Sequence, residues 1–230
     1  VDQGTIHALI GPNGAGKTTL ISQLSGYMHP NSGMITFDGQ DLLTVPAHKR
    51  PHAGLVRSFQ ITSVFPELTV LDNICLVLQS MRGHAHSIIR MASSDYSEQK
   101  EAKEILSRVG LNDKAYSLTG NLAHGQKRQV EIAMSLATKP KLLLLDEPMA
   151  GMGTEESLQI MDLLNVLRKS VTMLLVEHDM DVVFSLADKV SVLVYGRVVA
   201  SDTPENIRNN QDVQEAYLGG NELKTKAETC

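Results

Sequence analysis

The chain has no tryptophan, only two cysteines and few aromatic residues, and its shortages exclude several classes of protein. Among its 230 residues, Cys75 and Cys230 are the only thiols, which is too few for a disulfide framework and typical of a reducing compartment. No run approaches the roughly 18 consecutive apolar residues of a membrane-spanning helix. The first residues also lack the basic and apolar regions of a signal peptide. These absences predict a cytoplasmic protein.

Positive charge is also scarce. Lysine and arginine number 21 against 26 acidic residues, which gives a net charge of -5, whereas proteins that bind nucleic acid usually present a basic surface. The apolar fraction of 42% and the charged fraction of 20% are those of an ordinary globular protein. The composition therefore predicts a globular chain with a real core, whose main partner is not nucleic acid.

The most informative pattern is TIHALIGPNGAGKTTL, at residues 5–20. Its apolar run over 6–10 predicts a buried strand, and residues 11–18 fit the phosphate-binding spacing G-x-x-x-x-G-K-[ST] before a helix. Amides of such a loop converge on a polyphosphate at the positive end of the helix. Lys17 is predicted to reach the β- and γ-phosphates, and the Thr18 hydroxyl to ligate Mg²⁺. The predicted nucleotide contacts are Gly11, Pro12, Asn13, Gly14, Ala15, Gly16, Lys17, Thr18 and Thr19.

Two acidic residues follow a second apolar run. Four leucines at 142–145 predict a strand buried on both faces of a parallel sheet. Asp146 and Glu147 come at its carboxyl end, where α/β sheets place their ligands. Because phosphoryl transfer needs a metal and a positioned water, Asp146 is predicted to hold Mg²⁺ and Glu147 to orient or deprotonate that water.

The other segments alternate between strand and helix patterns. Thr69 is predicted to cap one helix, and Ile105, Leu106 and Val109 to face inward from another that starts near Ser97. His84 and His86 lack cysteine or carboxylate partners at ligand spacing, which argues against a metal site there. Further strands are predicted at 34–37, 55–60 and 172–176, a hairpin at 190–201, and helices at 155–170 and from 203.

Residues 121–129, NLAHGQKRQ, resemble the LSGGQ signature of ATP-binding cassette (ABC) ATPases. The order of phosphate loop, Gln60, signature, aspartate–glutamate pair and His178 is also that family's order, over nearly the whole chain. The resemblance implies an α/β P-loop NTPase fold. That fold has a RecA-like core with a mostly parallel sheet and an antiparallel β part, plus a helical subdomain. The expected core is about 1–66 and 138–218, the helical subdomain about 67–137, and a frayed tail 219–230.

The resemblance also assigns roles to single residues. Gln60 is similar to the Q-loop glutamine, which touches Mg²⁺ and faces the permease, and His178 to the switch histidine near the γ-phosphate. With Glu147 they are the predicted catalytic residues. The predicted magnesium ligands are Thr18, Gln60 and Asp146.

The signature of the family contacts ATP that is bound to the opposite subunit. Its residues here are Leu122, Ala123, His124, Gly125 and Gln126. Lys127 and Arg128, which follow in the first turn of a helix, are expected to be solvated.

The resemblance implies an ATP-hydrolysing subunit of an ABC importer that uses ATP and Mg²⁺. The segments GLVRSFQ, LAHGQKR and DEPMAGM resemble the ATPases of branched-chain amino acid importers and, nearly as well, those of urea or short-amide importers. Such a subunit dimerises with itself or with a related second ATPase, peripherally at the cytoplasmic face of a prokaryotic membrane. Its partners are permease subunits, expected to dock on residues 61–78, and indirectly a solute-binding protein.

Three features depart from the family pattern. Ala123 and His124 replace the commoner serine and glycine, and Gly153 stands where most members carry the D-loop aspartate. An upstream strand with an adenine-stacking aromatic residue is missing, which predicts either truncation at the start or weaker adenine binding. Two rival hypotheses remain: a soluble ABC ATPase of DNA repair or translation, and a nucleotide-binding module that no longer hydrolyses.

Overall fold

The computed structural model describes residues 1–58, 64–83 and 96–218, and these fold into two compact units. The first unit consists of Val1–Ala47, Leu144–Glu147 and the chain from Leu164 onwards. The second consists of the described residues between His48 and Leu143, with Pro148–Leu163.

Strands and helices alternate along most of the described chain. The strands are β1 Ile6–Ile10, β2 Thr36–Phe37, β3 Gln40–Asp41, β4 Leu55–Arg57, β5 Leu142–Asp146, β6 Thr172–Val176, β7 Lys189–Val194 and β8 Arg197–Asp202. The α-helices are α1 Lys17–Ser25, α2 Arg50–Ala53, α3 Val70–Met81, α4 Tyr96–Arg108, α5 His124–Ala137, α6 Thr154–Leu167, α7 Met180–Leu186, α8 Pro204–Arg208 and α9 Gln211–Leu218.

A mostly parallel sheet organises the first unit. Its strand order is β5-β6-β1-β7-β8, with β1 parallel to both β6 and β7, and β8 antiparallel to β7. Every residue of β5 and β6 is buried, which is why these strands are continuous apolar runs in the sequence. On β1, Ala8 and Ile10 pack with apolar residues of β7, α7 and α8. The carboxyl ends of parallel strands meet at one edge, and this edge receives the loops after β1, β5 and β6.

The second unit is largely helical. Helix α3 contacts both α4 and α5, and the shared interior contains Ile74, Leu106 and Val130, each fully buried. The predicted cap of α3 is confirmed, because the Thr69 hydroxyl accepts the amide hydrogen of Asp72. The start of β5 belongs to this unit, where the Gly54 carbonyl beside β4 accepts from the amide of Leu142 at 3.0 Å.

Most predicted elements are confirmed, including the α/β class with its parallel sheet and antiparallel part. The predicted strands over 6–10 and 172–176 have the predicted bounds, and the predicted hairpin is β7–β8. The strand predicted over 34–37 is shorter, because only Thr36 and Phe37 pair, with β3 across a tight turn. Of the strand predicted over 55–60, residues 59 and 60 lie outside the described residues, as do His84, His86 and the tail 219–230.

Candidate functional site

The glycine-rich loop after β1 is pressed closely against β7. A Cβ added at Gly11 would lie 2.1 Å from the carbonyl oxygen of Leu193, a distance that no side chain tolerates. The amide of Gly196 also donates to the carbonyl of Ala15 at 2.8 Å, at the other end of the loop. The loop is therefore held from the side of the sheet, and Asn13 and Gly14 are exposed.

Helix α1 begins without a side-chain cap. Its N-cap is Gly16 in the left-handed conformation, and its first turn contains no acidic residue. The first hydrogen bond of the helix runs from the amide of Leu20 to the carbonyl of Gly16 at 2.9 Å. The amides of residues 17–19 precede that bond and so lie outside the helical ladder. They give the loop the donors and the positive helix end that bind an anion.

The ammonium group of Lys17 lies across the mouth of this loop. It donates to the carbonyl of Gly11 at 2.6 Å and to that of Pro12 at 3.2 Å. Burial lowers the pKa of Lys17, while the charges of Glu147 and Asp146 act in the opposite direction. Those opposing charges show that the carboxylates after β5 act electrostatically on the phosphate-loop lysine.

Asp146 and Glu147 have different environments although they are adjacent. Asp146 ends β5 and is only 2% exposed. Glu147 has a φ of 47°, in the left-handed region that residues with a side chain rarely adopt. Its amide donates to the carbonyl of Val176 at 2.9 Å, which places it beside the end of β6, and its side chain is one-third exposed. Such backbone strain is often found at functional sites.

His178 follows β6 and lies near the carboxylates of Glu147 and Glu177. Its Nδ1 lies 3.9 Å from Oε1 of Glu147 and 3.8 Å from Oε2 of Glu177. The imidazole is well exposed, whereas Glu177 is almost fully buried. An exposed imidazole beside a half-buried carboxylate can bind a phosphate oxygen or position a water.

The first unit thus brings together the phosphate loop, Asp146, Glu147 and His178. Thr18 is an exposed residue in the first turn of α1. Hydroxyl and carboxylate oxygens are the ligands that Mg²⁺ prefers. The charge of Asp146 also acts on this loop, because it raises the pKa of Lys17 against the effect of burial. The residues present therefore fit a magnesium ion that is bound mainly through substrate phosphates. Gln60, the third predicted ligand, lies outside the described residues.

The predicted signature residues lie in the second unit, at the start of α5. Leu122 and Gly125 are buried, while Ala123 and His124 are exposed. Ala123 is the N-cap, and because alanine has no side-chain acceptor, only half of a capping box exists: its amide donates to the Gln126 side chain at 3.2 Å.

The amide of Gly125 is satisfied by a residue that the sequence did not indicate. It donates to Oε1 of Glu156 in the first turn of α6, at 3.1 Å. A Cβ added at Gly125 would lie 3.2 Å from three atoms of the Glu156 side chain, so only glycine fits without displacing it. An acidic residue in a first helical turn is the only local signal that could have pointed to Glu156.

The expected solvation of Arg128 is wrong. Arg128 is buried and forms an ion pair with Glu131, one helical turn onward, at 2.7 Å. The Arg128 side chain is therefore packed into the second unit, whereas His124 at the start of the same helix is exposed. Gly153, at the D-loop position, is exposed, and a Cβ there would meet nothing within 4 Å, so its geometry does not require glycine.

No helix among the described residues is long and apolar enough to cross a membrane. These residues also hold no cluster of three or more His, Cys, Asp or Glu side chains arranged for a metal ion. Of the predicted magnesium ligands, Asp146 alone belongs to those residue types.

Known proteins resemble this chain along almost its entire length. Residues 1–150 match the family model described as ABC transporter, and residues 197–222 match one described as branched-chain amino acid ATP-binding cassette transporter. The high-affinity branched-chain amino acid transport ATP-binding protein BraF of Pseudomonas aeruginosa is 39% identical over 227 residues, covering 95% of this chain and 89% of that protein. LivG of Escherichia coli K12, with the same description, is 39% identical over 221 residues, covering 93% and 87%.

A solved structure confirms the predicted fold. It is the ADP conformation of MJ1267, an ATP-binding cassette of an ABC transporter, which superposes with a TM-score of 0.80 at 29% identity. The match covers 95% of this chain and 89% of that one.

Proposed function

Because the chain belongs to the ABC transporter family, we propose that it is the ATP-hydrolysing subunit of an importer for branched-chain amino acids. The observation that carries this proposal is the meeting of phosphate loop, Asp146, Glu147 and His178 at one edge of the sheet. The solute class is supported by the relatives BraF and LivG and by the match of residues 197–222.

ATP binds with its phosphates in the loop after β1. The amides of residues 17–19 hold the phosphate oxygens, and the ammonium of Lys17 turns from the carbonyls of Gly11 and Pro12 to the β- and γ-phosphates. Thr18, Asp146 and Gln60 would hold Mg²⁺, which neutralises charge on the phosphates when bound. All of these residues act by binding and positioning, which is the main work of a protein in phosphoryl transfer.

Glu147 positions the attacking water and accepts its proton. Its left-handed backbone and the hydrogen bond from its amide to Val176 fix the start of the side chain, while the carboxylate stays one-third exposed. His178, 3.9 Å away, contacts the γ-phosphate and helps to orient that water.

The complete site needs a second ATPase subunit. In this arrangement Leu122 to Gln126 of one subunit contact ATP that is held by the phosphate loop of the other, so ATP drives two subunits together. We assign this signature to a helical subdomain of about 67–137, which is inserted in sequence between the two parts of a core of about 1–66 and 138–218. The pair lies peripherally at the cytoplasmic face of the membrane and moves the permease between its two access states.

Phe65 is the described residue best placed for permease docking within 61–78. Its ring is 49% exposed, yet its backbone is fixed at both polar groups. The amide of Phe65 donates to Oδ1 of Asn73 at 2.8 Å, and its carbonyl accepts from Nδ2 of Asn73 at 3.1 Å. Asn73 is fully buried and also bonds Thr69 and Thr119. An exposed aromatic ring on a rigid backbone is typical of an interface anchor.

The substitution Glu147→Gln tests the hydrolytic role. It keeps the size of the side chain and removes the base, so we expect ATP binding to persist while phosphate release falls about a hundredfold or more. Glu205→Gln changes an exposed carboxylate of the same unit and should leave the rate unchanged. Hydrolysis by the Glu147→Gln variant at the parental rate would show that Glu147 does not have this role.

Uptake of labelled leucine by cells that lack the chain, measured against uptake of urea, tests the solute class.

A further inference from the structure

Helix α5, which begins within the signature and is called the signature helix below, has a carboxylate hydrogen-bonded to one of its first amides. Oε1 of Glu156 accepts the amide hydrogen of Gly125 at 3.1 Å, across a sequence separation of 31 residues. Both residues belong to the second unit, so the contact is internal to it.

This amide has no partner inside its own helix. The first intrahelical bond of α5 runs from Lys127 to the carbonyl of Ala123 at 3.0 Å, so the amide of Gly125 precedes the ladder. The N-cap alanine offers no side-chain oxygen, and the first turn of α5 contains no acidic residue. Glu156 therefore supplies the acceptor that a capping serine or aspartate would supply elsewhere.

The Glu156 side chain links the starts of two helices. It lies in the first turn of α6, where the amides at the helix start stabilise negative charge, while its carboxylate reaches the start of α5. A charged acceptor forms a stronger hydrogen bond than a neutral one. The carboxylate thus occupies the Gly125 amide as a phosphate oxygen would.

We propose that Glu156 competes with ATP for the signature and must leave Gly125 when a nucleotide-loaded partner subunit binds. This rests on the proposed function, in which the signature contacts ATP held by the other subunit. The amide of Gly125 has one hydrogen, and a phosphate oxygen beside an ionised carboxylate would be repelled by it. Glu156 is half-buried in the first turn of its helix, so rotation about its side-chain bonds can move the carboxylate to water.

The competition affects the association of two subunits. It does not affect the binding of nucleotide to a single chain. The phosphate loop belongs to the first unit, whereas Glu156 and Gly125 both belong to the second. Glu156 is thus a positioning residue for the signature. It raises the threshold of ATP-driven association.

The test uses the Glu147→Gln protein, in which ATP is bound and not consumed. Its ATP-driven dimerisation is followed by analytical ultracentrifugation with Mg-ATP, alone and with Glu156→Ala, Glu156→Gln or Glu155→Ala. In Glu156→Ala, the charge-assisted hydrogen bond to Gly125 no longer has to be broken when the dimer forms. We therefore expect the dimer of this variant to be about tenfold tighter. Glu156→Gln keeps an acceptor without charge and should give a smaller gain. Glu155→Ala removes an exposed carboxylate from the same turn and should change nothing.

A second readout needs neither ATP nor a partner. In the single chain, the NMR signal of the Gly125 amide should shift and its hydrogen exchange should accelerate on Glu156→Ala and not on Glu155→Ala, in proteins whose thermal melting shows them folded. Unchanged exchange would overturn the contact. A dimer that is unchanged or weaker in Glu156→Ala would overturn the competition. Failure of the Glu147→Gln protein itself to dimerise with ATP would instead overturn the proposed function, and it is visible without any change at 156.

Discussion

Two helix starts in this chain both lack a side-chain cap, and charged groups of opposite sign bond to them. Helix α1 follows Gly16 and helix α5 follows Ala123, and neither receives a side-chain oxygen from its own N-cap. At α1 the charged group bonded to the loop is the ammonium of Lys17, which donates to the carbonyls of Gly11 and Pro12. At α5 the charged group is the carboxylate of Glu156, on the amide of Gly125.

The difference shows how one side chain decides what a helix start can bind. The amides at α1 have a neighbouring cation, so the loop attracts a polyphosphate without help from another molecule. The amide of Gly125 at α5 is already bonded to the Glu156 carboxylate. The free energy that a phosphate gains by binding there is therefore reduced by the cost of displacing that carboxylate. We therefore expect the first helix start to bind ATP in the single chain and the second to act when two subunits meet.

The largest expected effect is the loss of ATP binding in Lys17→Ala. Removing the ammonium takes away several charge-assisted hydrogen bonds to the phosphates, so the affinity of the single chain for Mg-ATP should fall about a hundredfold or more. Isothermal titration calorimetry on the Glu147→Gln protein measures it without turnover.

Lys127→Ala is the matched control at the other helix start. Lys127 lies in the first turn of α5, so its loss should leave the affinity of the single chain unchanged. If both lysine variants lost affinity equally, the two helix starts would not differ in the way their charges suggest.

Local patterns predicted the phosphate-loop region well. The strand β1, the loop and the start of α1 are adjacent in sequence, and each depends on apolar runs, glycine spacing and a helix opening that a reader of the sequence can see. Thr69 was likewise indicated as a cap by its place before a helical pattern, and its hydroxyl accepts the amide hydrogen of Asp72.

Contacts between distant segments were not predictable in this way. The contact of Glu156 with Gly125 joins two helix starts, and no pattern within either segment encodes it. Arg128 was expected in water because it is charged, although Glu131 lies three residues on, at the spacing of an ion pair. Which face of α5 is buried depends on α3 and α4, and that information is spread over the second unit.

A smaller effect separates two glycines of the phosphate loop. Gly11→Ala would place a Cβ 2.1 Å from the carbonyl of Leu193, so the loop or β7 must move, at a cost of about 3 kcal/mol in the free energy of unfolding. Gly14 has a φ of +80° with nothing within 4 Å of an added Cβ, so Gly14→Ala should cost about 1 kcal/mol of conformational strain alone. Urea unfolding of both variants measures the two costs, and equal losses would show that β7 does not constrain the loop.

The smallest expected effect concerns the far end of α5, and it depends on pH. Lys139, just beyond that end, forms an ion pair with Glu101 of α4 at 2.8 Å, and Arg82 contacts the same carboxylate at 2.7 Å. The hydrogen bond from Lys139, then the charges of Lys139 and Arg82, lower the pKa of Glu101 below its ordinary value of 4.5 despite some burial. A lowered pKa in the folded state adds stability above pH 4.5, and this stability is lost as the pH falls through the folded value.

Glu101→Gln should therefore be less stable than the parent near pH 7, and the two should converge once the pH falls below the lowered pKa of Glu101. The difference should stay under about 1 kcal/mol, because Lys139 is largely exposed and exposed ion pairs contribute little. Urea unfolding from pH 7 to pH 3 measures it, with Glu104→Gln on the exposed side of the same helix as the control. A difference that grew towards acid pH would have the wrong sign and would mean that burial, rather than Lys139, controls this carboxylate. The ion pair of Lys139 with Glu101 would then not stabilise the far end of the signature helix. Of the two ends of that helix, only the start at Gly125 would be stabilised by a charged side chain.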